Sequence, residues 1–236
     1  MTPATAPAAT PADSSRRPLA VEILLFDGFD LLDALGPYEV FQAAGMLTNG
    51  GVRVALVAPG GARSVPSGLD GPAIPAGRAP DLATVDILLV PGAAGSLGGE
   101  DEGGVPALLA READGPIAAI VRDAMTLENV TVAAVCGGSL MLAMAGLVGS
   151  RPAATHHLGM QALAATGATP IAARVVDDGG LVTGGGVTSG IDLALHVVAR
   201  YYGQDVAQVT ANTLEYRGDL WKNPTFGEVK QVVATK

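Results

Sequence analysis

Four short apolar runs, each closed by a turn signal, constrain the fold of this chain more than any other feature. They lie at residues 20–26 (AVEILLF), 51–58 (GVRVALVA), 85–90 (VDILLV) and 130–135 (VTVAAV). Runs of this length and composition are typical of strands buried on both faces of a parallel sheet. Helical patterns lie between them and can supply the crossovers that such a sheet requires. The sequence therefore predicts an α/β fold with a mostly parallel central sheet between helical layers.

Helical patterns and turn signals fill most of the remaining sequence. A first helix can begin at Asp30, but Gly36-Pro37 is expected to interrupt it, with Pro37 in the first turn of a new helix. The Gly/Pro/Ser-rich stretch at 59–78 allows a small hairpin, and the Asp-Asp-Gly-Gly turn at 177–180 predicts another. Further helices are predicted at 105–111, 117–125, 138–147, 158–165, 191–202 and 206–216.

Length and composition indicate one domain. The 236 residues are 49% hydrophobic, which is enough to bury a substantial core. We expect a single α/β domain over residues 19–236, with a C-terminal extension from Arg217, because no internal linker divides it. Residues 1–18 are rich in Ala, Pro, Thr and Ser and predict a disordered N-terminal tail.

Charge and cysteine content argue against several classes of partner. A net charge of −9 gives no electrostatic attraction for nucleic acid or for an anionic membrane. No apolar run is long enough for a transmembrane helix, and the N-terminus lacks the apolar region of a secretory signal. A single cysteine cannot form an internal disulfide. We therefore expect a cytoplasmic protein that acts on a small molecule.

Cys136, the only cysteine, follows the fourth apolar run and precedes a short helical pattern. Gly137 and Gly138 permit a sharp turn there, which is the setting of a nucleophile elbow. Amides at the start of the next helix would lower the thiol pKa and could cradle an oxyanion. A lone cysteine is more often a small buried hydrophobic residue. Its position at the carboxyl end of a predicted strand instead favours a catalytic nucleophile.

Three acidic residues after the first strand could place a carboxyl group beside the Cys136 thiol. Asp27, Asp30 and Asp33 all lie near its carboxyl end. Asp33 could alternatively cap the helix predicted to start at Pro37. The residues alone leave the choice among the three open.

Small residues and histidines complete the candidate site. The Pro-Gly-Ala-Ala-Gly turn that starts at Pro91 could aim backbone amides, at Gly92 and Ala93, into a pocket. His156 or His157 could pair with a cysteine, but neighbours on an extended segment point in opposite directions, so at most one would face the site. His196, in an apolar helix, is interpreted as structural. No metal site is expected, since the spacing of metal ligands is missing.

Thr188 and Ser189 precede the helix predicted at 191–202 and are candidate N-caps. The three glycines at 184–186 could also admit a close backbone contact near the site, so Thr188 is kept as a possible pocket residue.

Several of these motifs occur in an order that resembles the ThiJ/PfpI superfamily, a relative of class I glutamine amidotransferases. They are LLFDGFDLLDALGPYEVF, ILLVPGAAG, AAVCGGSLMLAMAGLV, ATHH and RVVDDGGLVTGGGVTSGIDLALHVV. Within the superfamily, the sequence is most similar to isocyanide hydratases and to the amidotransferase-like domain of AraC-type regulators. The resemblance implies a flavodoxin-like three-layer sandwich that commonly forms a homodimer, with no cofactor.

The resemblance also implies a reaction. In the hydratases, which are lyases, the elbow cysteine attacks the terminal carbon of an isocyanide, and water releases an N-substituted formamide from the resulting thioimidate. Cys136 matches that nucleophile. Asp33 matches the acid of the family's D-[LA]-x-G-P pattern, which selects it over Asp27 and Asp30. The amides near Gly92, Ala93 and Gly137 match the region lining the pocket.

Some residues depart from the hydratase pattern. Gly137 stands where Thr usually follows the cysteine, His157 stands where an aromatic residue is common, and the C-terminal segment matches only in part. We expect no DNA-binding domain like that of the AraC-type relatives, because the sequence leaves no room for one after these motifs. Two other activities within the superfamily therefore stay open. One is glyoxalase-type chemistry on methylglyoxal, and the other is a non-catalytic, oxidation-responsive role.

Overall fold

The structure, a computed structural model, describes residues 17–96 and 103–226. Of the expected N-terminal tail, residues 1–16 lie outside the described residues, as do residues 227–236 of the C-terminal extension. Arg17 is described, and its guanidinium binds Asp86.

Eleven strands and seven α-helices are present within the described residues. The strands are β1 Leu19–Leu24, β2 Val52–Val57, β3 Arg63–Pro66, β4 Ala73–Ala76, β5 Ile87–Val90, β6 Thr131–Val135, β7 Pro152–Ala153, β8 Thr169–Pro170, β9 Val175–Asp177, β10 Leu181–Gly184 and β11 Thr225–Phe226. The helices are α1 Leu31–Leu47, α2 Val105–Ala113, α3 Pro116–Ala124, α4 Gly137–Met144, α5 Met160–Ala165, α6 Ser189–Tyr202 and α7 Gln204–Thr213.

The central sheet has seven strands in the order β11-β9-β10-β6-β5-β1-β2. Strands β10, β6, β5, β1 and β2 pair in parallel, while β9 runs antiparallel to β10. Every residue of β5 and β6 is buried, as their apolar composition predicted. This confirms the mostly parallel α/β fold, and both expected hairpins form, as β3–β4 and β9–β10.

The helices pack in two groups, as the outer layers of a three-layer sandwich require. Helices α1, α6 and α7 pack together, and α2 packs against α3 and α4, with α5 against α4. None of the helices in the described ranges is long and apolar enough to cross a membrane.

Helix α1 differs from the sequence prediction. Gly36-Pro37 does not interrupt it, and the helix runs unbroken from Leu31 to Leu47. Both residues are buried where α1 meets the start of α6: a Cβ on Gly36 would lie 3.3 Å from Ile191, and one on Gly190 would lie 3.1 Å from the Pro37 ring. Packing of this kind offsets the missing amide hydrogen bond of a proline inside a helix.

Candidate active site

The loops after β1, β5, β6 and β10 meet at the carboxyl edge of the sheet. The Asp30 amide donates to Gly92 O at 2.8 Å, which joins the first two loops. The Cys136 amide donates to Gly184 O at 3.2 Å and to Gly185 O at 3.0 Å, which joins the last two. The sequence predicted the first three of these loops from the strand ends, and it raised the glycines at 184–186, after β10, only as a possible close backbone contact.

Cys136 occupies the turn between β6 and α4 with φ 56° and ψ −126°, a conformation that a non-glycine residue rarely adopts. One hydrogen bond to Cys136 and one close approach of the main chain after it define this turn. The Cys136 carbonyl accepts a 2.6 Å hydrogen bond from the Thr155 hydroxyl, and a Cβ on Gly138 would lie 2.5 Å from Val90 O, so only glycine fits after the turn. The thiol is free and the residue is only 7% exposed.

Asp33 lies in the first turn of α1 and is fully buried beside the thiol. Its Oδ2 accepts a 2.9 Å hydrogen bond from the Gly92 amide, and the Cys136 thiol is within hydrogen-bonding reach of the carboxyl. The other oxygen, Oδ1, is buried and meets no N–H or O–H donor within the described residues. A buried carboxyl with so few donors is more stable when protonated.

The other two acids have different roles. Asp27 is exposed and pairs with Arg63. Asp30 is the N-cap of α1 and accepts hydrogen bonds from the Leu32 and Asp33 amides. The alternative in which Asp33 caps a helix starting at Pro37 is therefore wrong, because no helix starts there. Asp33 is the acid that the fold places against Cys136.

Burial changes the proton affinity of both groups. It raises the pKa of Asp33 to about 8, aided by the negative charge of Asp30 and opposed by the hydrogen bonds from Gly92 and Cys136. Burial and the charge of Asp33 raise the pKa of the Cys136 thiol to about 12. The Gly137 and Val187 amides hydrogen bond to the sulfur and act in the opposite direction. The sequence predicted a lowered thiol pKa; burial outweighs the amides, so that prediction is wrong.

Gly92 packs closely against Asp33 and against the backbone that follows Cys136. A Cβ added to it would lie 2.7 Å from Asp33 Oδ2 and 2.7 Å from the Gly137 amide nitrogen. The adjacent Ala93 forms a bridge with Phe29, and it is buried. The Gly92 backbone therefore lies against the thiol–carboxyl pair, and its amide donates to Asp33. The pocket-lining role expected for the amides of Gly92 and Ala93 stays a prediction.

We expect the Gly92→Ala substitution to separate the pair. Neither contact is a flexible side-chain end that can move away at low cost: one is the buried Asp33 carboxyl and the other is main chain. Overpacking of this kind costs roughly 1–3 kcal/mol of the free energy of unfolding. Thermal denaturation measures it, and Gly77→Ala is a matched control because open space surrounds a Cβ there. Equal melting temperatures for the two variants would contradict the close approach.

Leu109 of α2 covers Gly137, the position at which the hydratase pattern has Thr. A Cβ on Gly137 would lie 3.1 Å from Leu109 Cδ1, and Leu109 is buried. The space that a side chain at 137 would need is thus already filled. The sequence motifs did not identify Leu109, because this residue lies on α2, far from Gly137 in the sequence.

His156 is half-buried, and its ring lies against Gly186, where an added Cβ would be 2.8 Å from Cδ2. Its Nδ1 accepts a hydrogen bond from the Leu158 amide, so the neutral ring carries its proton on Nε2. Partial burial and neighbouring His157 lower the pKa of His156. The two rings are 4.3 Å apart rather than pointing in opposite directions, because His157 begins a short 3₁₀ turn. The prediction that the His156 and His157 side chains point in opposite directions is therefore wrong.

The remaining candidates are placed as follows. Thr188 is the N-cap residue of α6, but its hydroxyl makes no capping bond and instead accepts one from Arg174. His196 is buried against Asp177 at 2.7 Å, which agrees with the structural interpretation. In the described ranges, His, Cys, Asp and Glu side chains form no group of three that could hold a metal ion.

Comparisons with known proteins find relatives over most of the chain. The DJ-1/PfpI family model matches residues 20–200. An isonitrile hydratase from Pseudomonas putida is 32% identical over 206 residues, which cover 84% of this chain and 78% of the relative.

Solved structures give the same result for the fold. A ThiJ/PfpI family protein from Pseudomonas syringae has a TM-score of 0.70 at 29% identity, over 90% of this chain and 84% of the other. An AraC family transcriptional regulator from Pseudomonas putida has a TM-score of 0.65 at 18% identity, over 84% of this chain and 100% of the other. At that identity the second match concerns the fold alone.

Proposed function

The chain belongs to the DJ-1/PfpI family, and we propose that within it the chain is a cysteine-dependent lyase that hydrates an isocyanide to an N-substituted formamide. The observation that carries this proposal is the buried pair of Cys136 and Asp33 on the strained turn after β6. The isonitrile hydratase relative supports the substrate class, because isonitrile is another name for isocyanide.

The pair suits a reaction in which one carbon receives both a proton and a nucleophile. Because both pKa values are raised, the thiol and the carboxyl both hold their protons at neutral pH. The Asp33 carboxyl gives its proton to the terminal isocyanide carbon while the Cys136 sulfur bonds to the same carbon, and the thiol proton returns to Asp33. The product is a thioimidate with one new C–H bond and one new C–S bond.

Water completes the cycle. It adds its oxygen to the thioimidate carbon and one proton to the nitrogen. The C–S bond then breaks, the second proton returns to the sulfur, and the N-substituted formamide leaves. The Gly137 and Val187 amides, which hydrogen bond to the sulfur, stabilise negative charge on it as it departs. The sum is one isocyanide and one water consumed for each formamide.

The structure favours this function over the two alternatives. Oxidation of a cysteine proceeds through its thiolate, whereas the raised pKa keeps Cys136 protonated unless Asp33 accepts its proton. Glyoxalase-type relatives typically place a Glu in the first-strand region, whereas the acid at the thiol here is Asp33. We also propose, from the single cysteine and the family resemblance, that the protein acts in the cytoplasm as a homodimer of one domain over residues 19–236.

Turnover by the purified protein tests the proposal. We expect one alkyl and one aryl isocyanide to be converted to their formamides, with product identified by chromatography against authentic standards. Methylglyoxal, assayed in parallel for lactate, is expected to give no product. Lactate without formamide would move the assignment to glyoxalase chemistry, and no product from either substrate class would reject both enzymes.

A further inference from the structure

The segment at 184–188, made of the last residue of β10 and the loop after it, flanks the Cys136 turn on the side opposite the loop that carries Gly92, because β6 lies between β10 and β5. Its carbonyls at Gly184 and Gly185 accept from the Cys136 amide, and the Val187 amide hydrogen bonds to the Cys136 sulfur. We call it the Val187 loop. The sequence motifs did not identify Val187, since it contributes a backbone group and no side-chain chemistry.

An ion pair outside the site fixes the Val187 loop. Arg174 donates from Nε and Nη2 to Asp192 Oδ2 at 2.8 and 2.5 Å. Its Nη1 donates to the Thr188 hydroxyl at 2.9 Å, and its carbonyl accepts from the Gly185 amide at 3.1 Å. Arg174 therefore contacts both ends of the loop.

Asp192 anchors this arrangement from inside the fold. It lies in the first turn of α6, is 1% exposed, and also accepts a 2.9 Å hydrogen bond from the Tyr216 hydroxyl. Because a buried carboxylate is costly unless it is paired, Arg174 is held in one orientation.

The hydroxyl of Thr188, an exposed residue, links Arg174 to the loop. A threonine at an N-cap ordinarily accepts a hydrogen bond from the helix amides, which stabilises the helix. At the start of α6, the amides of residues 189–191 already donate to the carbonyls of residues 186–188, so the Thr188 hydroxyl makes no capping bond and accepts one from Arg174. Thr188 is also the residue directly after Val187, so this bond fixes the backbone whose amide faces the sulfur.

We propose that Arg174 is a positioning residue which, anchored on Asp192, acts through Thr188 to hold the Val187 amide against the Cys136 sulfur. This inference rests on the proposed function only in taking Cys136 as the reacting group. Arg174 itself touches no reacting atom. Arg174 instead affects how readily the Cys136 sulfur carries negative charge. The sulfur carries this charge both when it attacks the substrate and when it leaves the thioimidate.

The test measures the reactivity of Cys136 without any isocyanide. Thr188→Val removes the hydroxyl that links Arg174 to the loop but keeps the Arg174–Asp192 pair. We expect iodoacetamide to alkylate Cys136 about three to ten times more slowly in this variant, the effect of weakening one hydrogen bond to a charged group. Thr188→Ser keeps the hydroxyl and is expected to restore the wild-type rate. Intact mass spectrometry measures both rates.

Two further measurements separate positioning from a general structural effect. Arg151→Met removes another Arg–Asp pair, with Asp178, that has no hydrogen bond to the Val187 loop among the described residues, and its alkylation rate is expected to equal that of the wild type. Hydrogen exchange is expected to be faster in residues 184–190 of Thr188→Val and unchanged in β6. An unchanged or faster alkylation rate in Thr188→Val, or equal slowing in Arg151→Met, would overturn the inference. Because alkylation needs no substrate, these outcomes are independent of whether isocyanides are turned over.

Discussion

Replacing Cys136 with Ala is expected to abolish isocyanide turnover, lowering kcat by about four orders of magnitude or more, because no thioimidate can form without the sulfur. The fold should tolerate the change. Ala keeps the Cβ, and both residues carry a similar strain at φ 56°. The backbone bonds from the Cys136 amide and to its carbonyl do not involve the side chain. Formamide production and the melting temperature, measured on the same preparation, test activity and folding separately.

Cys136→Ser is a stricter test of the role of the sulfur. Serine keeps a side-chain donor in the same place beside Asp33, so it preserves the buried hydrogen bonding while replacing the sulfur with a much weaker nucleophile. We expect it to be as inactive as Cys136→Ala. Incubation of the wild type with an isocyanide should also yield a mass adduct at Cys136 when the reaction is quenched rapidly. More than a tenth of wild-type activity in either variant would exclude covalent catalysis by this residue.

The placement of Cys136 was predictable because it depends on local signals. A run of five buried residues in β6, followed by Cys136, Gly137 and Gly138, can form little else than a strand, a sharp turn and a helix. The glycine is required because a Cβ on Gly138 would meet Val90 O. The strand order of an α/β fold then places this turn at the edge where the other loops collect.

Other features of the site depend on packing that a linear pattern does not contain. Asp27, Asp30 and Asp33 look alike in sequence, and only burial separates them: one is paired at the surface, one caps α1 and one faces the thiol. Local rules predicted a break at Pro37, and contacts between α1 and α6 override it.

The proton affinities of the pair follow from the same packing. The lowered thiol pKa was expected from the amides alone, which are a local signal. Burial of Cys136 and the charge of Asp33 are tertiary effects, and they are larger. Leu109 was missed for the same reason, since it reaches the site from another helix. Val187 lies in a quoted motif but contributes only its backbone amide, and Arg174 lies in the same motif but acts from outside the site.

Replacing Asp33 with Asn is expected to lower kcat by about 10²- to 10⁴-fold, because the isocyanide carbon then lacks its proton donor. The asparagine oxygen can still accept from the Gly92 amide, so the site should keep its shape. In the wild type, kcat is expected to fall as the pH rises through about 8, where the Asp33 carboxyl loses its proton. The residual activity of Asp33→Asn should lack this decline. Asp27→Asn, an exposed acid on the same loop, is the matched control and should keep wild-type activity.

The same substitution should stabilise the fold. The pKa of Asp33 rises from 3.8 to about 8 on folding, so the native state binds this proton more tightly than the unfolded state does. The contribution is fully present below pH 4 and is lost as the pH rises to about 8. An uncharged Asn avoids that loss, so Asp33→Asn should exceed the wild type in free energy of unfolding by about 1–3 kcal/mol at pH 8, a range set below the full linkage value because a buried site relaxes. Near pH 4 the ionisation of Asp33 no longer contributes to the difference in free energy of unfolding between Asp33→Asn and the wild type. Denaturant unfolding at the two pH values measures the difference in free energy of unfolding between Asp33→Asn and the wild type. If this difference does not increase from pH 4 to pH 8, Asp33 is ionised in the native protein. That result would remove Asp33 as the proton donor.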